Sequence, residues 1–572
     1  MRRFARSGRC RLPATPHFAS RGRDEPADSD RKVVGPLRYP VESFTEDERA
    51  ALEPHFSNLD RPVFALTNLP ETVKGALFAR YSRYRGTLRR LYLDEFAADA
   101  SSAARPFDGE EGKRAAELYE RIFIGYGDDS VAQLGGAHLA CEWVSNVLTK
   151  VLQRGRLAAY LEQSTRYIAY DQPMYEDAAQ GDPGSWRYWR SEELGPEFGA
   201  AMDEIFSIYS ASLRDVTAWA EDRWPRGDEP QGAWERSIRA KALDLLRGLL
   251  PAATLSHVGI YASGQAYEQL LLRLASSPLP EAREIGAMAH EELGAVIPSF
   301  ISRVGRPERG GEWISYLQER REATERWVAR LGLDRRGGED APTVELIHVD
   351  GDEESLLAAS LYEATGLPEA EIVGRLGALD PIEREHLLGD LVGARGNRRH
   401  RPGRGWETVR YRFEIVSDYG GFRDMQRHRM LTCQWQSLSP DLGAGVPEEV
   451  VQAGVGDAYE RALEISRREF ERLESAGMPE AAPYALCLGY RIRYVLDMNA
   501  REAMHVCELR SGREGHPTYR AVAQAMHEQI SAVHPAIGAA MRHVDSSSEP
   551  RLERIMSEIR THRKQQAAAR AS

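Results

Sequence analysis

Two stretches decide how this chain is read: RGRLAAYLEQSTRYIAY at residues 154–170 and RHRMLTCQWQSLSP at residues 427–440. Aligned without gaps, they match Arg154 with Arg427, Arg156 with Arg429 and Ser164 with Ser437. A solenoid or propeller repeats roughly every 20–50 residues, and no such array is evident. One pattern recurring once points instead to two copies of a large unit.

The rest of the chain fits around these stretches. Residues 1–40 are rich in Arg, Ser, Pro and Asp without apolar periodicity, and read as a disordered basic and polar tail. Asp24, Glu25, Asp28 and Asp30 come too early for a transit peptide, and a secretory apolar core is missing. A first helix-rich unit is expected over 41–332, with helical patterning in LPETVKGALFARYSRYRGTLRRLYLDEF (69–96). Trp143, Val144, Val147, Leu148, Val151 and Leu152 predict a buried helix stripe over 142–156. The Gly-rich and charged run 333–342 is the expected linker. A second unit then spans 343–560, before a tail over 561–572. It opens with the strand candidate VELIHVD, and helices are expected from Glu354 and near Ile382. The apolar segment ETVRYRFEIV follows, then a long helix around Tyr490 to Arg510. Helices mixed with a few strands give the class α+β.

Composition narrows the function. The chain has 572 residues, a net charge of −12, 42% hydrophobic and 28% charged residues. That is ordinary for a globular protein, and the acidic balance does not favour nucleic-acid binding. No apolar run is long enough to span a membrane. Cys10, Cys141, Cys433, Cys487 and Cys507 lie far apart, with no CxxC pair. That argues against disulfides and a structural zinc site, and for a reducing, cytoplasmic compartment. The sequence has no GxxxxGK[ST], HExxH, GxSxG or Rossmann fingerprint.

The polar residues of the two stretches have chemistry of their own. If 162–166 is extended, Glu162, Ser164 and Arg166 share one face, over roughly 13 Å. A guanidinium beside a hydroxyl suits a phosphate oxygen; a surface ion pair is the plainer reading. The matching face of the second half, Trp435, Ser437 and Ser439, has no cation. Arg427, His428 and Arg429 are three adjacent cations that persist best beside an anion, and so are expected to face a cleft. In MNAREAMHVCELR (498–510), Arg501 and His505 are one helical turn apart, whereas Arg510 points away from Arg501. One such helix can reach two ligands, or present a solvated polar face beside the core stripe Ala500, Ala503, Met504 and Cys507. The loop RGNRRHRPGRGWE (395–407) is strongly basic, fit for an anion or for water.

These motifs resemble those of the flavin-dependent thymidylate synthases, whose signature is R-H-R-x-x-S followed by E-x-S-x-R. The resemblance covers roughly 60–300 and 341–540 and implies two tandem family-like domains, helix-rich with small antiparallel sheets. Each half retains a different part. The first keeps Glu162, Ser164 and Arg166 but reads Gly155 for the His and Ala159 for the Ser. The second keeps Arg427, His428 and Arg429, with Thr432 for the Ser. The family's nucleotide-binding Arg-x-x-Leu-Pro resembles RGLLP (247–251), so Glu162, Ser164, Arg166 and Arg247 are the implied substrate-binding residues. The family's N-A-R helix resembles 498–510, with Asn499 and Arg501 at the flavin and Arg510 facing the nucleotide as the implied catalytic residue. His505 stands where relatives often have Asn, and Ser82 falls in an Arg-x-Ser segment near the flavin. The implied cofactor-binding set is therefore Ser82, Arg427, His428, Arg429, Thr432, Asn499, Arg501 and His505. Val151 and Asp424 replace the family's Gln three residues before R-H-R, and Asp128 replaces a His beside Ser130.

The resemblance implies methylation of dUMP to dTMP, with FAD as cofactor and methylenetetrahydrofolate and NADPH as co-substrates. It also implies a homodimer forming a pseudo-tetramer. Modification of another pyrimidine nucleotide, or a non-catalytic nucleotide- or flavin-binding paralogue, are the alternatives. The losses in one half fall where the other is intact, which predicts one composite site.

Overall fold

A computed structural model describes residues 42–60, 64, 66–71, 73–74, 77–78, 87–97, 133–172, 186–333, 341–549 and 551–571. The expected tail, Ser82 with its neighbours Arg80 and Tyr81, Asp128, Ser130 and most of the 333–342 linker lie outside the described residues. The described residues up to Thr67 form one unit, which contains the helix Glu46–Leu52 closed by a Thr45–Glu48 capping box. Everything below belongs to the second unit, from Asn68 onward.

That unit is helix-rich with two small antiparallel sheets, and one element order is played twice. The first repeat runs β1 (Gly136–Ser145), α1 (Asn146–Leu152), β2 (Ala158–Glu162), α2 (Gly195–Arg223), α3 (Gln231–Leu246), β3 (Leu255–Ser263), α4 (Gly264–Ala275) and α5 (Pro280–Val296). The second adds an edge strand, β4 (Thr343–Asp350). It then runs β5 (Arg410–Asp418), α6 (Tyr419–Met425), β6 (Thr432–Trp435), α7 (Gly456–Ser475), β7 (Arg491–Asn499), α8 (Ala500–Arg510) and α9 (Pro517–Val533). The sheet orders are β1-β3-β2 and β4-β5-β7-β6, so β5-β7-β6 repeats the first sheet. A last helix, α10 (Ile555–Ala571), continues through the residues expected as a tail.

Local chemistry fixes the strand-to-helix joints. Ser145, Ser263, Asp418 and Asn499 each end a strand and cap the next helix, accepting from the amides of Leu148, Ala266, Gly421 and Glu502. Such a cap contributes about 1 kcal/mol. These caps correct two expectations. The helix expected over 142–156 is strand to Ser145 and helix only from Asn146. The long helix expected from Tyr490 is strand through Asn499. In β7, Ile492, Tyr494, Leu496 and Met498 are buried while Arg491, Arg493, Val495 and Asp497 alternate with them, the period-2 pattern of a strand with one face on a core.

The repeats meet about a pseudo-twofold axis. Gly489 N donates to Gly248 O at 2.8 Å and Leu488 N to Leu250 O at 2.9 Å. Their symmetry mates are Ala253 N to Tyr484 O at 2.9 Å and Ala252 N to Leu486 O at 2.7 Å. One continuous hydrophobic core takes residues from both repeats, among them Phe206, Leu246 and Leu250 with Phe413, Tyr459 and Leu486. Among the described residues no helix is long and apolar enough to cross a membrane.

Candidate functional site

The R-H-R segment leaves the end of α6, whose Arg423 and Asp424 meet, from the other repeat, Glu162 at the end of β2 and Arg247 at the end of α3. At the junction six cationic side chains (Lys150, Arg166, Arg247, Arg423, Arg427, Arg510) gather around four carboxylates (Glu162, Asp244, Asp418, Asp424). Positive charge is in surplus.

Arg166 is fully engaged. Its Nε and Nη2 donate to Asp244 at 2.6 and 2.5 Å, its Nη1 to the Tyr519 hydroxyl at 2.9 Å, and its Nη2 also to Glu514 O at 3.2 Å. Burial works to raise the Asp244 pKa, but Arg166 outweighs it and holds the carboxyl at about 2. The expected extended face over 162–166 is not formed. β2 stops at Glu162, and Ser164 Oγ accepts from Arg166 N at 3.2 Å, closing a turn. Glu162 points inward, accepting from Lys150 at 3.1 Å, Gln153 at 2.9 Å and Arg423 at 2.6 Å. Despite burial, those cations keep its carboxyl well below the usual range.

Arg247 differs. It is 3% exposed, its Nη1 reaches Asp424 at 3.3 Å, and its Nη2 lies 3.7 Å from Asp418. Nε and Nη2 have no hydrogen-bond partner. A buried guanidinium with two idle donors is costly unless an acceptor arrives. Arg247 lines a cavity of about 600 Å³, together with Asp244, Gly248, Asp418, His516 and Thr518 and the apolar Val344, Val416 and Val522. That volume is in the range of small-ligand sites.

In the second repeat, Asp424 is shared. Arg427 pairs with it, and Arg510 Nη1 lies 3.7 Å away. The anions beside these cations are the chain's own carboxylates: Asp424 sits one helical turn before Arg427, and Glu502 faces His428. Arg510 Nε donates to His428 Nε2 at 2.8 Å, which leaves the proton on Nδ1 to donate to Glu502 at 3.3 Å. Burial and then Arg510 hold the His428 pKa far down, so the ring is neutral. His505 lies 5.3 Å from it, ring to ring, and burial with Arg401 and Arg398 lowers its pKa to about 4. Burial raises Glu502 to about 7.

The remaining implied residues are nearby or spoken for. Arg501 Nε donates to Pro402 O at 2.9 Å, on the opposite side of α8 from the Asp424 contact of Arg510. Asn499 caps α8. Thr432 accepts from Arg156 at 2.9 Å, and Arg154 lies over the Trp435 ring at 5.1 Å. Arg429 is exposed. In the basic loop, Arg395 is locked onto Glu508 at 2.6 and 2.5 Å, and Arg404 pairs with Glu407.

Two chemical readings follow from the His428 corner. His428, Glu502 and His505 place ligand-type atoms within 4.8 Å of one another. A metal ion is nevertheless a poor fit, because Arg510 already occupies His428 Nε2 and Arg398 and Arg401 stand beside His505. An anion fits. Among the described residues, Arg398, Arg401 and Arg429 have no carboxylate within 4 Å.

Sequence reasoning missed Tyr519, His516, Asp244 and Arg423. Tyr519 is the hub: Arg166 and Arg510 lie over its ring, and burial's upward push on its phenol is overcome by Arg166 and Arg510, lowering its pKa. It lies past the last motif, with nothing in its local pattern to flag it. Asp244 had a signal, standing one turn before Arg247 on α3.

Comparisons with known proteins match both repeats. A family model described as thymidylate synthase complementing protein matches residues 87–299 and 383–536. A UPF0159 protein of Chlamydia muridarum is 36% identical over 540 residues, covering 90% of this chain and 98% of its own. A UPF0159 protein of Thermoplasma acidophilum is 30% identical over 526 residues, covering 85% and 98%. A flavin-dependent thymidylate synthase of Pyrococcus furiosus is 30% identical over 113 residues, 18% of this chain and 45% of its own. Among solved structures, the UMP/dUMP methylase PolB from Streptomyces cacaoi bound with 5-Br dUMP is similar at 20% identity and a TM-score of 0.30, over 37% of this chain and all of that one.

Proposed function

The chain belongs to the thymidylate synthase complementing protein family, and from that premise we propose that it methylates C5 of a pyrimidine deoxynucleotide, converting dUMP to dTMP. FAD is the proposed cofactor, with methylenetetrahydrofolate as one-carbon donor and NADPH as reductant. The Pyrococcus furiosus relative supports the flavin assignment by its name. The observation that carries the reading is the convergence of Arg166 and Arg247 from one repeat with Arg427 and Arg510 from the other, on Asp424 and Tyr519.

Each side chain then has a task. Arg247 takes the phosphate with its two idle donors, a charge-assisted contact. The surplus positive charge suits a phosphate monoester, which carries about −1.5 to −2 at neutral pH. Arg166 holds Asp244, which lines that site, in place. Arg510, braced by His428 and Tyr519, faces the pyrimidine and polarises it. Arg398, Arg401 and Arg429 hold the flavin's diphosphate, with Asn499, Arg501 and His505 along its length. Bound and reduced, the flavin supplies the hydride.

A second copy of the chain is proposed to complete the assembly. The outer face of the first sheet exposes Leu161 and Tyr261 at 80% and 49%, whereas the matching face of the second is covered by ion pairs such as Arg410–Asp497. Apolar residues exposed together on one sheet face favour a partner.

Asp424, standing where the family has Gln, favours one further reading, a different pyrimidine base. Purified protein tested for methyl transfer to dUMP, UMP and dCMP with FAD, NADPH and methylenetetrahydrofolate separates the two. A flavin-free protein without transfer to any of them would leave a non-catalytic scaffold.

A further inference from the structure

The pseudo-twofold axis gives three groups around the Arg247 cavity a counterpart in the other repeat, and these counterparts close on one another, while Thr343 and Val344 of the added strand β4 have none. Gly248 and Tyr484 correspond, each seven residues ahead of its strand, β3 or β7. Asp418 and Ser145 correspond as the caps of α6 and α1. Thr518 and Glu281 correspond as the second residues of α9 and α5. Gly248, Asp418 and Thr518 all line the open cavity of about 600 Å³. Their mates bond to one another: Glu281 accepts from Ser145 N at 2.7 Å, from Ser145 Oγ at 2.6 Å and from the Tyr484 hydroxyl at 2.7 Å.

All three mates are buried, with Ser145 and Tyr484 at 0% and Glu281 at 2% exposure. The Tyr484 ring also packs on Trp189, centroids 4.4 Å apart. Pro483 stands where the first repeat has Arg247, so the sealed side lacks that buried cation. The open side depends on the opposite choice. A Cβ at Gly248 would come within 1.9 Å of the Tyr459 hydroxyl, so a side chain there would have to displace its surroundings.

We infer that the chain binds one nucleotide, in the cavity beside Arg247, and that the pseudo-symmetric position is sealed by the chain's own Tyr484, Glu281 and Ser145. On that side the Glu281 carboxyl, its pKa raised by burial, takes three donors from the chain itself. The inference rests on the proposed reading of Arg247 as a phosphate anchor, and fixes both the stoichiometry and the side of the axis that is used.

Titration calorimetry of the full-length protein with dUMP reads the stoichiometry directly. One dUMP per chain is expected. Two per chain would overturn the inference while leaving the functional reading intact; no binding at all would overturn both. Thr518→Glu places in the open cavity the carboxylate that its mate already has, at a helix start where an acid is tolerated. Its dUMP affinity should fall at least about tenfold, with the melting temperature retained, and Thr518→Gln should lose less. Unchanged affinity in Thr518→Glu would overturn the placement.

Discussion

Arg166 and Arg510 share one aromatic ring: their guanidinium carbons lie 5.8 and 5.5 Å from the centroid of Tyr519. Arg166 comes from the first repeat and Arg510 from the second, so neither repeat has this arrangement alone. Two cations over one ring repel each other, and the flanking carboxylates Asp244 and Asp424 make the arrangement tenable.

The Arg166–Asp244 pair is structural as well as electrostatic. Both partners are buried, so Arg166→Ala leaves an uncompensated carboxylate and should cost about 3–5 kcal/mol. The double variant Arg166→Met, Asp244→Leu should recover most of it. Urea unfolding of the two singles and the double checks this; additive losses would deny the coupling.

Arg247 should behave in the opposite way. Arg247→Met removes two idle buried donors, so the unliganded protein should melt no lower than the parent. Affinity for dUMP should fall about 10- to 150-fold, the loss of a charge-assisted contact worth roughly 1.5–3 kcal/mol. A lower melting temperature with unchanged affinity would assign Arg247 to the fold alone.

The flavin assignment predicts that Arg429→Ala and Arg501→Ala each lower the flavin retained on purification, read from its absorption band. His428→Ala should act differently. Both its nitrogens are used within the protein, so it should disturb Arg510 and nucleotide affinity as well as flavin. Unchanged flavin content in both Arg429→Ala and Arg501→Ala sinks the assignment.

Stability should carry a trace of Glu502. Burial raises its pKa from 4.5 to about 7, so the folded chain binds the proton more tightly than the unfolded chain. Its contribution is full below pH 4.5 and is lost as pH rises through 7. Glu502→Gln should remove that slope and gain up to about 3 kcal/mol at pH 8 relative to pH 4. Denaturant melts across pH decide it; parallel profiles for parent and variant would contradict the assignment.

The repeat was legible because Arg and Ser positions recur in register over both motifs. The sheets were less so. Trp143 and Val144 in one stretch, and Val495, Leu496 and Met498 in the other, continue the apolar residues of the helices that follow, and the deciding signals are the caps Ser145 and Asn499. In β7 the alternation of Arg491, Arg493 and Asp497 with Ile492, Tyr494 and Leu496 was in plain view. The site was legible as far as its motifs extend. Tyr519 was not, because its importance comes from tertiary pairing with Arg166, which no local pattern encodes; for Asp244 the local pattern offered only its place one turn before Arg247.

Nucleotide and flavin groups of the two repeats are proposed to form one site. Adding dUMP to the flavin-loaded full-length protein and recording the flavin difference spectrum tests it most directly. A saturable spectral shift is expected in the parent, and its loss in Arg247→Met with flavin content unchanged. Tight flavin and dUMP binding with no spectral response of one to the other would contradict it.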